Sequence, residues 1–272
     1  MADPVMLFVV EGEDRDYRLA GDLRDSFFAT GRYRTRLIRL SARENLYMLY
    51  RQLAEYDFEA DLVEILRETV PEAKTELDGI SRQDIAEIYL FFDYDIHQNN
   101  LPEGQNGEAV LAELLSVFSN ETENGKLYIS YPMVEALYDL RRDSCQAFSR
   151  CFLDAADVVD YKHLSGNENP MASRHFRFDD WKQAVNVFAL RLRCLLELQS
   201  EELNAAFYRR SITPLLLYQR ESELWKESRR VFILSGLPEF LLDYFRDDFW
   251  HANVRRTRYA FEQCPHGRTA GK

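Results

Sequence analysis

Acidic residues stand where apolar runs of this chain end. Glu11 and the pair Asp93 and Asp95 each directly follow such a run, and Glu135 comes a few residues after another. Carboxylates that gather in one place repel one another unless a cation neutralises them. Because their oxygens are hard ligands, they favour Mg²⁺ or Mn²⁺, and such an ion can activate water and stabilise charge on a phosphoryl group. The pattern therefore predicts a site for phosphoryl chemistry.

Each of these acids also has a simpler interpretation when it is taken alone. An Asp-x-Asp pair is common at turns and at the starts of helices. Glu11 could belong to a plain turn that leads to a helix capped by Asp14. Glu135 alone would be a solvent-facing helix residue. The metal-site interpretation depends on all of these acids occurring together, in this order, in one half of the chain.

Alternating strand and helix patterns must position the acids. Continuous apolar runs predict four strands, over residues 6–10, 35–40, 88–92 and 127–130. Helical periodicity predicts helices over residues 14–29 and 108–118, with further helical material over 42–70 that Pro71 interrupts. This alternation is typical of an α/β fold with a parallel sheet of about four strands flanked by helices. Ligands of such folds bind at the carboxyl ends of the strands, where the acids lie.

The second half of the chain has a different pattern. Long amphipathic stretches predict helices over residues 178–199, 215–234 and 238–258, and no strand is predicted there. We therefore expect a domain at 1–140, a helical domain at 141–262 and a disordered tail at 263–272. The stretch LLDYFRDDFW, residues 241–250, has apolar side chains on nearly every face of a helix, which predicts a docking surface.

Composition narrows the functional classes. The 272 residues carry a formal net charge of −12, which argues against a protein that coats nucleic acid by bulk charge. The four cysteines fit no zinc-binding spacing, so we expect free thiols. No apolar run reaches the roughly 18–20 residues that a membrane span needs. The N-terminus lacks the pattern of a signal peptide, and we expect a cytoplasmic protein.

Two stretches resemble a known nuclease domain. The sequence LFVVEGEDRDY and the later IYLFFDYDIH resemble the TOPRIM domain, whose signature is a strand ending in Glu-Gly and a later strand ending in Asp-x-Asp. Glu11-Gly12 and Asp93-Tyr94-Asp95 match the two parts. A third stretch, YISYPMVEAL, is similar to the Pro-x-x-Glu segment of OLD-family and RloB-like phage-defence nucleases. The resemblance covers roughly residues 5–140 and implies a Rossmann-like parallel sheet.

The resemblance implies roles for individual residues. Asp93 and Asp95 would hold Mg²⁺, and Glu11 would be a metal ligand or a general acid or base. Asp16 stands five positions after Glu11, as in the RloB-like pattern, and would add a further metal ligand. Glu135 would complete the catalytic set.

The resemblance also implies a biological role. It points to a Mg²⁺-dependent nuclease that hydrolyses DNA or RNA as the effector of an antiviral defence system. The chain has no GxxxxGK[ST] motif, so an ABC-type or AAA-type ATPase partner would supply any ATP-dependent step. The alternative is a catalytically weak binding subunit that docks a partner through its acidic cleft or its helical half. A homodimer is also compatible with the pattern.

Basic residues supply candidate contacts to nucleic acid. Arg34 and Arg36 belong to a group with Arg32 and Arg39 that could bind the phosphate backbone. His97, just beyond the Asp-x-Asp pair, could touch a substrate phosphate. The competing interpretation is that all of these side chains are simply solvated.

Overall fold

The computed structural model of the chain describes residues 3–12, 14–40, 46–56, 58–94, 106–139, 151–167, 169, 171–198 and 204–253, with the backbone alone for residues 164, 167 and 246–253. Two compact units are distinguished, Met1–Tyr128 and Ile129–Lys272. The predicted domain boundary at residue 140 and the predicted tail at 263–272 lie outside the described residues, and they stay predictions.

A mainly parallel sheet forms the centre of the first half of the chain, which confirms the predicted α/β class. Its strands are β1 Val5–Glu11, β2 Arg34–Leu40, β3 Ile85–Asp93, β4 Ser119–Asn120 and β5 Gly125–Ser130. The strand order is β2-β1-β3-β5-β4, so the sheet has one more strand than the predicted four. The additional strand, β4, has only two residues and pairs antiparallel to β5.

β1 occupies the middle of the parallel part of the sheet. It is parallel to β2 on one side and to β3 on the other. Six of its seven residues are buried, which explains the unbroken apolar run in the sequence. Only Glu11, at the carboxyl end of β1, is partly exposed.

Helices flank the sheet, and their ends follow local sequence signals. They are α1 Arg15–Phe27, α2 Leu46–Ala54, α3 Leu62–Thr69, α4 Pro71–Glu76 and α5 Gly107–Val117. The side chain of Asp61 caps α3 by accepting a hydrogen bond from the Val63 N–H at 2.7 Å. Pro71 separates two helices as predicted, but it also begins the second one, where its missing N–H is not needed.

An aromatic row ties the central strands together. Phe8 on β1 lies 5.9 Å from Tyr89 and 6.2 Å from Phe91, both on β3, measured between ring centroids. Phe91 in turn lies 5.6 Å from Tyr128 on β5. Phe28, just after α1, packs against Phe8 at 5.7 Å. The core therefore holds β1, β3 and β5 in a common layer, and it fixes where their carboxyl ends lie.

The second unit is mainly helical, as predicted. Its elements are α6 Ala136–Asp139, β6 Phe152–Asp154, α7 Ala155–Tyr161, a π-helical turn Lys162–Asn167, α8 Phe178–Leu195, α9 Ala205–Ser211, α10 Pro214–Ser228, β7 Arg230–Phe232 and α11 Gly236–Asn253. α8 packs against α11, and α9 packs against α11 as well. Fully buried side chains of Trp181, Phe188 and Phe240 contribute to the core of this unit.

Two short strands in the second unit contradict the expectation that it contains none. β6 and β7 pair antiparallel, with Phe152 opposite Phe232. The helix predicted over 215–234 ends at Ser228, because Arg229 adopts a left-handed conformation with φ of 57° and β7 follows it. A three-residue strand is too short to show a period of two, and its partner lies far away in the sequence. The sequence pattern therefore could not predict the pairing of β6 with β7.

Candidate metal centre at the carboxyl edge of the sheet

Glu11 and Asp93 meet at the carboxyl edge of the sheet. Glu11 ends β1 and Asp93 ends the neighbouring β3. The backbone N–H of Asp93 donates a hydrogen bond to Oε2 of Glu11 over 3.3 Å. Both residues are partly buried. Folding thus brings together two of the acids selected from the sequence, although they are 82 positions apart in the chain.

The backbone conformation at position 12 explains why a glycine follows the strand. Its φ is +96°, a conformation that side chains strain. A Cβ placed there would lie 2.7 Å from Oδ2 of Asp16 and 3.1 Å from its Cγ. The carboxyl group of Asp16, in the first turn of α1, therefore packs directly over the turn that follows Glu11. The absence of a side chain at Gly12 thus lets the carboxyl group of Asp16 approach the end of the strand that bears Glu11.

The described acids do not by themselves complete a metal site. Over the described ranges, no three His, Cys, Asp or Glu side chains stand together in an arrangement that could hold a metal ion. Asp95, the second acid of the Asp-x-Asp pair, lies outside those ranges, and so does His97. Their predicted roles stay predictions.

Glu135 belongs to the second unit. It immediately precedes α6 and follows the cis peptide bond between Tyr131 and Pro132. Only 2% of its surface is exposed, so the interpretation of Glu135 as a solvent-facing helix residue is wrong. Carboxylates are rarely buried this deeply without partners. Its burial makes Glu135 a candidate functional or structural group of the second unit.

A buried polar cluster lies four residues further on, and sequence reasoning missed it. Oδ2 of Asp139 accepts a hydrogen bond from the hydroxyl of Tyr161 at 2.6 Å and another from Ser165 Oγ at 3.0 Å. Burial raises the pKa of Tyr161 well above its ordinary value, and the nearby carboxylate of Asp139 adds to the effect. The phenol therefore stays a neutral donor. The only local signal for this cluster in the sequence is the spacing of four residues between Glu135 and Asp139, because Tyr161 and Ser165 reach Asp139 only through folding.

The predicted nucleic-acid contacts of β2 lie away from the carboxyl edge. The register pairs Arg34 with Val5 and Arg36 with Leu7, near the beginning of β1. Nε of Arg34 donates to the backbone oxygen of Asp3 at 3.0 Å. Nε of Arg36 donates to a backbone oxygen of α4, that of Glu76, at 3.1 Å.

Arg39 is the arginine of the group that stands near the acids. The register places it opposite Val10, one residue before Glu11. Its Nε lies 3.3 Å from Oε2 of Glu72, and its Nη1 lies 3.5 Å from Oδ1 of Asp14. A cation thus flanks the acidic edge on the β2 side.

Comparisons of this chain with protein-family models, with curated proteins and with solved structures gave no match. Within the part of the chain that is described, every helix is either too short or too polar to cross a membrane.

Proposed function

We propose that this chain is a metal-dependent nuclease of the TOPRIM type, which hydrolyses phosphodiester bonds of DNA or RNA. The observation that carries the proposal is the contact between Glu11 and Asp93 at the carboxyl edge of the sheet. The turn at Gly12, which seats Asp16 beside the same strand end, adds to it. These are the positions at which the Glu-Gly and Asp-x-Asp motifs occur in the sequence.

The proposed ligands suit Mg²⁺ or Mn²⁺ by their chemistry, although the described acids alone do not form a group that could hold an ion. Glu11, Asp16 and Asp93 offer carboxylate oxygens, the ligands that these hard cations prefer. The amide of Asp93 orients the Glu11 carboxylate, and each carboxylate oxygen has two lone pairs. Asp93, with Asp95 as the second acid of its pair, would hold the ion, and Glu11 and Asp16 would complete the ligand set. The bound ion would supply charge stabilisation for the phosphoryl group.

The acids of the chain also provide proton transfer. In the proposed reaction, Glu11 is either a ligand of the ion or the base that accepts a proton from the attacking water, and the resemblance adds Glu135 to the catalytic set. The hydrogen bond from the Asp93 amide limits the rotation of Glu11, so the carboxylate is positioned before the substrate binds.

Antiviral defence under the control of an ATPase partner is the proposed biological role. It rests on the resemblance to OLD-family and RloB-like nucleases, and on the absence of a P-loop motif from the 272 residues. An ABC-type or AAA-type ATPase would release the nuclease activity, and the helical half would dock the ATPase or a second copy of this chain.

The proposal is tested by incubating the purified chain with plasmid, tRNA and single-stranded DNA in the presence of Mg²⁺ or Mn²⁺. We expect cutting that EDTA stops and that Asp93→Ala abolishes. Asp78→Ala is the matched control, because Asp78 is an exposed acid of the same unit outside the site. Cleavage by Asp93→Ala at the wild-type rate would refute the assignment.

The alternative function is a catalytically weak subunit that docks a basic partner. The net charge of −12 favours it, because such a surface repels nucleic acid and attracts basic proteins. It predicts no cutting of any substrate with either ion, together with a stable complex that dissociates at high salt.

A further inference from the structure

The loop that leads into α8 exposes basic residues on either side of a buried aromatic anchor. Phe176 is 3% exposed and packs against Trp181, with 5.0 Å between the ring centroids. Alternate side chains of an extended backbone point to opposite sides, and Arg177 is extended, with φ of −109° and ψ of 170°. His175 and Arg177, the neighbours of Phe176, are accordingly exposed, and so is Arg174. The buried ring therefore holds a loop whose basic residues face solvent.

Phe178, the first residue of α8, is exposed although its side chain is large and apolar. It is 49% exposed, and among the described residues of the second unit only Val159 is a more exposed large apolar residue. The ammonium group of Lys182, about one helical turn further on, lies 5.0 Å from the centroid of the Phe178 ring. An exposed ring among cations is the arrangement on which the bases of single-stranded nucleic acids stack.

The acids beside this ring are already bonded, whereas the two arginines are not ion-paired. Asp179 pairs with Lys182 at 2.9 Å, and Oδ2 of Asp180 accepts a hydrogen bond from the backbone N–H of Arg177 at 2.9 Å. Within the part of the chain that is described, neither Arg174 nor Arg177 forms an ion pair. A guanidinium can bind two phosphate oxygens at once, so both arginines suit a nucleic-acid backbone.

The distribution of charge favours the second unit as the contact for nucleic acid. Asp and Glu are twice as numerous as Lys and Arg in Met1–Tyr128, whereas the two classes are nearly equal in number in Ile129–Lys272. An excess of acids repels a phosphate backbone. A strand that binds this chain therefore meets a more favourable potential at the second unit.

We propose that Arg174, Arg177 and Phe178 form a contact surface for single-stranded nucleic acid. The arginines bind backbone phosphates, and an unpaired base stacks on the Phe178 ring. This inference rests on the proposed nuclease function for the class of its ligand, and it adds a surface that selects single strands over duplexes. The selection arises because the bases of a duplex are already stacked on one another, whereas phosphates are present in both forms.

The test measures binding in EDTA, so that metal-dependent cleavage does not interfere. The fluorescein-labelled probes have equal length: a single-stranded DNA, the RNA of the same sequence, the DNA duplex, and an abasic strand that keeps the phosphates without bases. Anisotropy is measured over a range of salt concentrations. Arg220→Gln is one control, because Arg220 is a 51% exposed arginine of the same unit. Tyr56→Ala is the other, because Tyr56 is an aromatic residue of the first unit that is 59% exposed.

We expect the wild type to bind a single strand more tightly than the duplex. The double variant Arg174→Gln and Arg177→Gln should lower the slope of log affinity against log salt by about 0.7 for each phosphate contact that is lost. Phe178→Ala should weaken single-strand binding about tenfold and leave binding of the abasic strand unchanged, because only base stacking is lost. Phe178→Trp should bind at least as tightly as the wild type, and both controls should match the wild type.

The outcomes separate this inference from the proposed function. If the double variant and Phe178→Ala match the controls in affinity and salt slope, the inference is wrong, whether or not the wild type cuts in Mg²⁺. An equal loss of the normal and the abasic strand in Phe178→Ala would also overturn it, since the ring would then not contact a base. Competition by polyglutamate as strong as that by the single strand would overturn it in favour of an acidic protein partner. If single strands bind through these residues but nothing is cut in Mg²⁺, the inference stands and the nuclease function fails.

Discussion

At the scale of single residues, Glu11 and Asp93 are joined through a backbone amide rather than through two side chains. The donor is the N–H of Asp93, so the carboxylate of Asp93 can be removed without breaking that hydrogen bond. A substitution of the Asp93 side chain therefore leaves the hydrogen bond between its backbone N–H and Glu11 in place. This separation makes a clean test of its role possible.

We expect Asp93→Ala to fold normally and to be as stable as the wild type, or slightly more stable, in EDTA. Removing one of several neighbouring carboxylates relieves repulsion in the metal-free protein. The wild type should gain thermal stability when Mg²⁺ is added, because a ligand that binds the native state raises its stability, and the variant should gain much less. Thermal melts with and without Mg²⁺ measure both effects. A variant that melts far below the wild type in EDTA would make Asp93 a structural residue.

Gly12→Ala separates backbone strain from displacement of Asp16. The strain at φ of +96° should cost about 1–3 kcal/mol of unfolding free energy. The new methyl group should also push the Asp16 carboxyl group away and weaken Mg²⁺ binding. Gly79→Ala is the control, because Gly79 has φ of +67° with open space around it.

Urea denaturation and Mg²⁺ titration of the two glycine variants give the two readouts. Both substitutions should lower stability, whereas only Gly12→Ala should lower Mg²⁺ affinity. Equal Mg²⁺ affinity in the two variants would show that the position of Asp16 does not matter to the ion.

At the scale of elements, the contact between α10 and β7 buries the carboxyl group of a glutamate. Glu221, on α10, is fully buried, and its Oε2 accepts a hydrogen bond from the Phe232 N–H at 2.9 Å. Among the described residues, its Oε1 has no hydrogen-bond partner. Burial raises the pKa of Glu221 well above its ordinary value, and the Phe232 N–H opposes this only in part. Glu221 therefore keeps its proton to a higher pH in the folded state than in the unfolded chain.

This proton makes the stability of the chain depend on pH. A glutamate in the unfolded chain has a pKa of about 4.3, so between that pH and the higher pKa of the folded state folding takes up a proton. The stability is therefore greatest below that value and falls as the pH rises towards the folded pKa. Glu221→Gln cannot ionise, and it should be increasingly more stable than the wild type as the pH rises. Urea denaturation at pH 5 and pH 8 measures the two gaps, and a gap that is larger at pH 5 would contradict the assignment.

The cluster around Asp139 connects α6, α7 and the π-helical turn. Tyr161→Phe should cost about 1.5–3 kcal/mol, because a buried carboxylate then loses a hydrogen bond to a charged group. Ser165→Ala should cost less, since its hydrogen bond to the same oxygen is longer, 3.0 Å against 2.6 Å. Chemical denaturation of both single variants and of the double variant measures the coupling. Strictly additive costs would show that the two donors act independently.

At the scale of the whole molecule, the stretch of the C-terminal helix that was predicted to form a docking surface is partly buried in the core. Phe240, Leu241 and Leu242 are fully buried within the second unit, so they belong to its core. The side chain of Phe245 is only half-buried. The side chains of Phe249 and Trp250 lie outside the described residues, and the docking role stays a prediction.

Phe245→Glu should therefore weaken docking and leave the fold intact. A truncation before Pro238 would remove three fully buried core residues, so a point substitution is the better test. Phe178→Glu is the control, because Phe178 is 49% exposed on a different helix of the same unit. Co-purification with an ATPase encoded beside this chain, and sedimentation of the chain alone, distinguish a hetero-complex from a homodimer. If both variants retain every complex that the wild type forms, Phe245 is not part of a docking surface.

Local patterns were sufficient to predict the strands and helices that carry the candidate site. The apolar run before Glu11 and the one before Asp93 each became a strand of the sheet, and each acid became the last residue of its strand. A buried parallel strand needs apolar side chains on both faces, so its sequence shows where it ends. A glycine directly after such a strand also indicates a special backbone conformation, and Gly12 has one. The sequence by itself thus determined the α/β class and the ends of the strands that bear the acids.

Only the tertiary structure decided which side chains meet. Four arginines at or near β2 look alike in the sequence, and the register alone places Arg39, rather than Arg34 or Arg36, next to the acidic edge. The partners of Asp139, and the pairing of β6 with β7, likewise join residues that are distant in the chain. The reason is physical: hydrophobic periodicity reports whether a residue faces the core, but contacts across elements depend on strand register and helix packing. Those are set by the whole core at once, and no local stretch of sequence contains them.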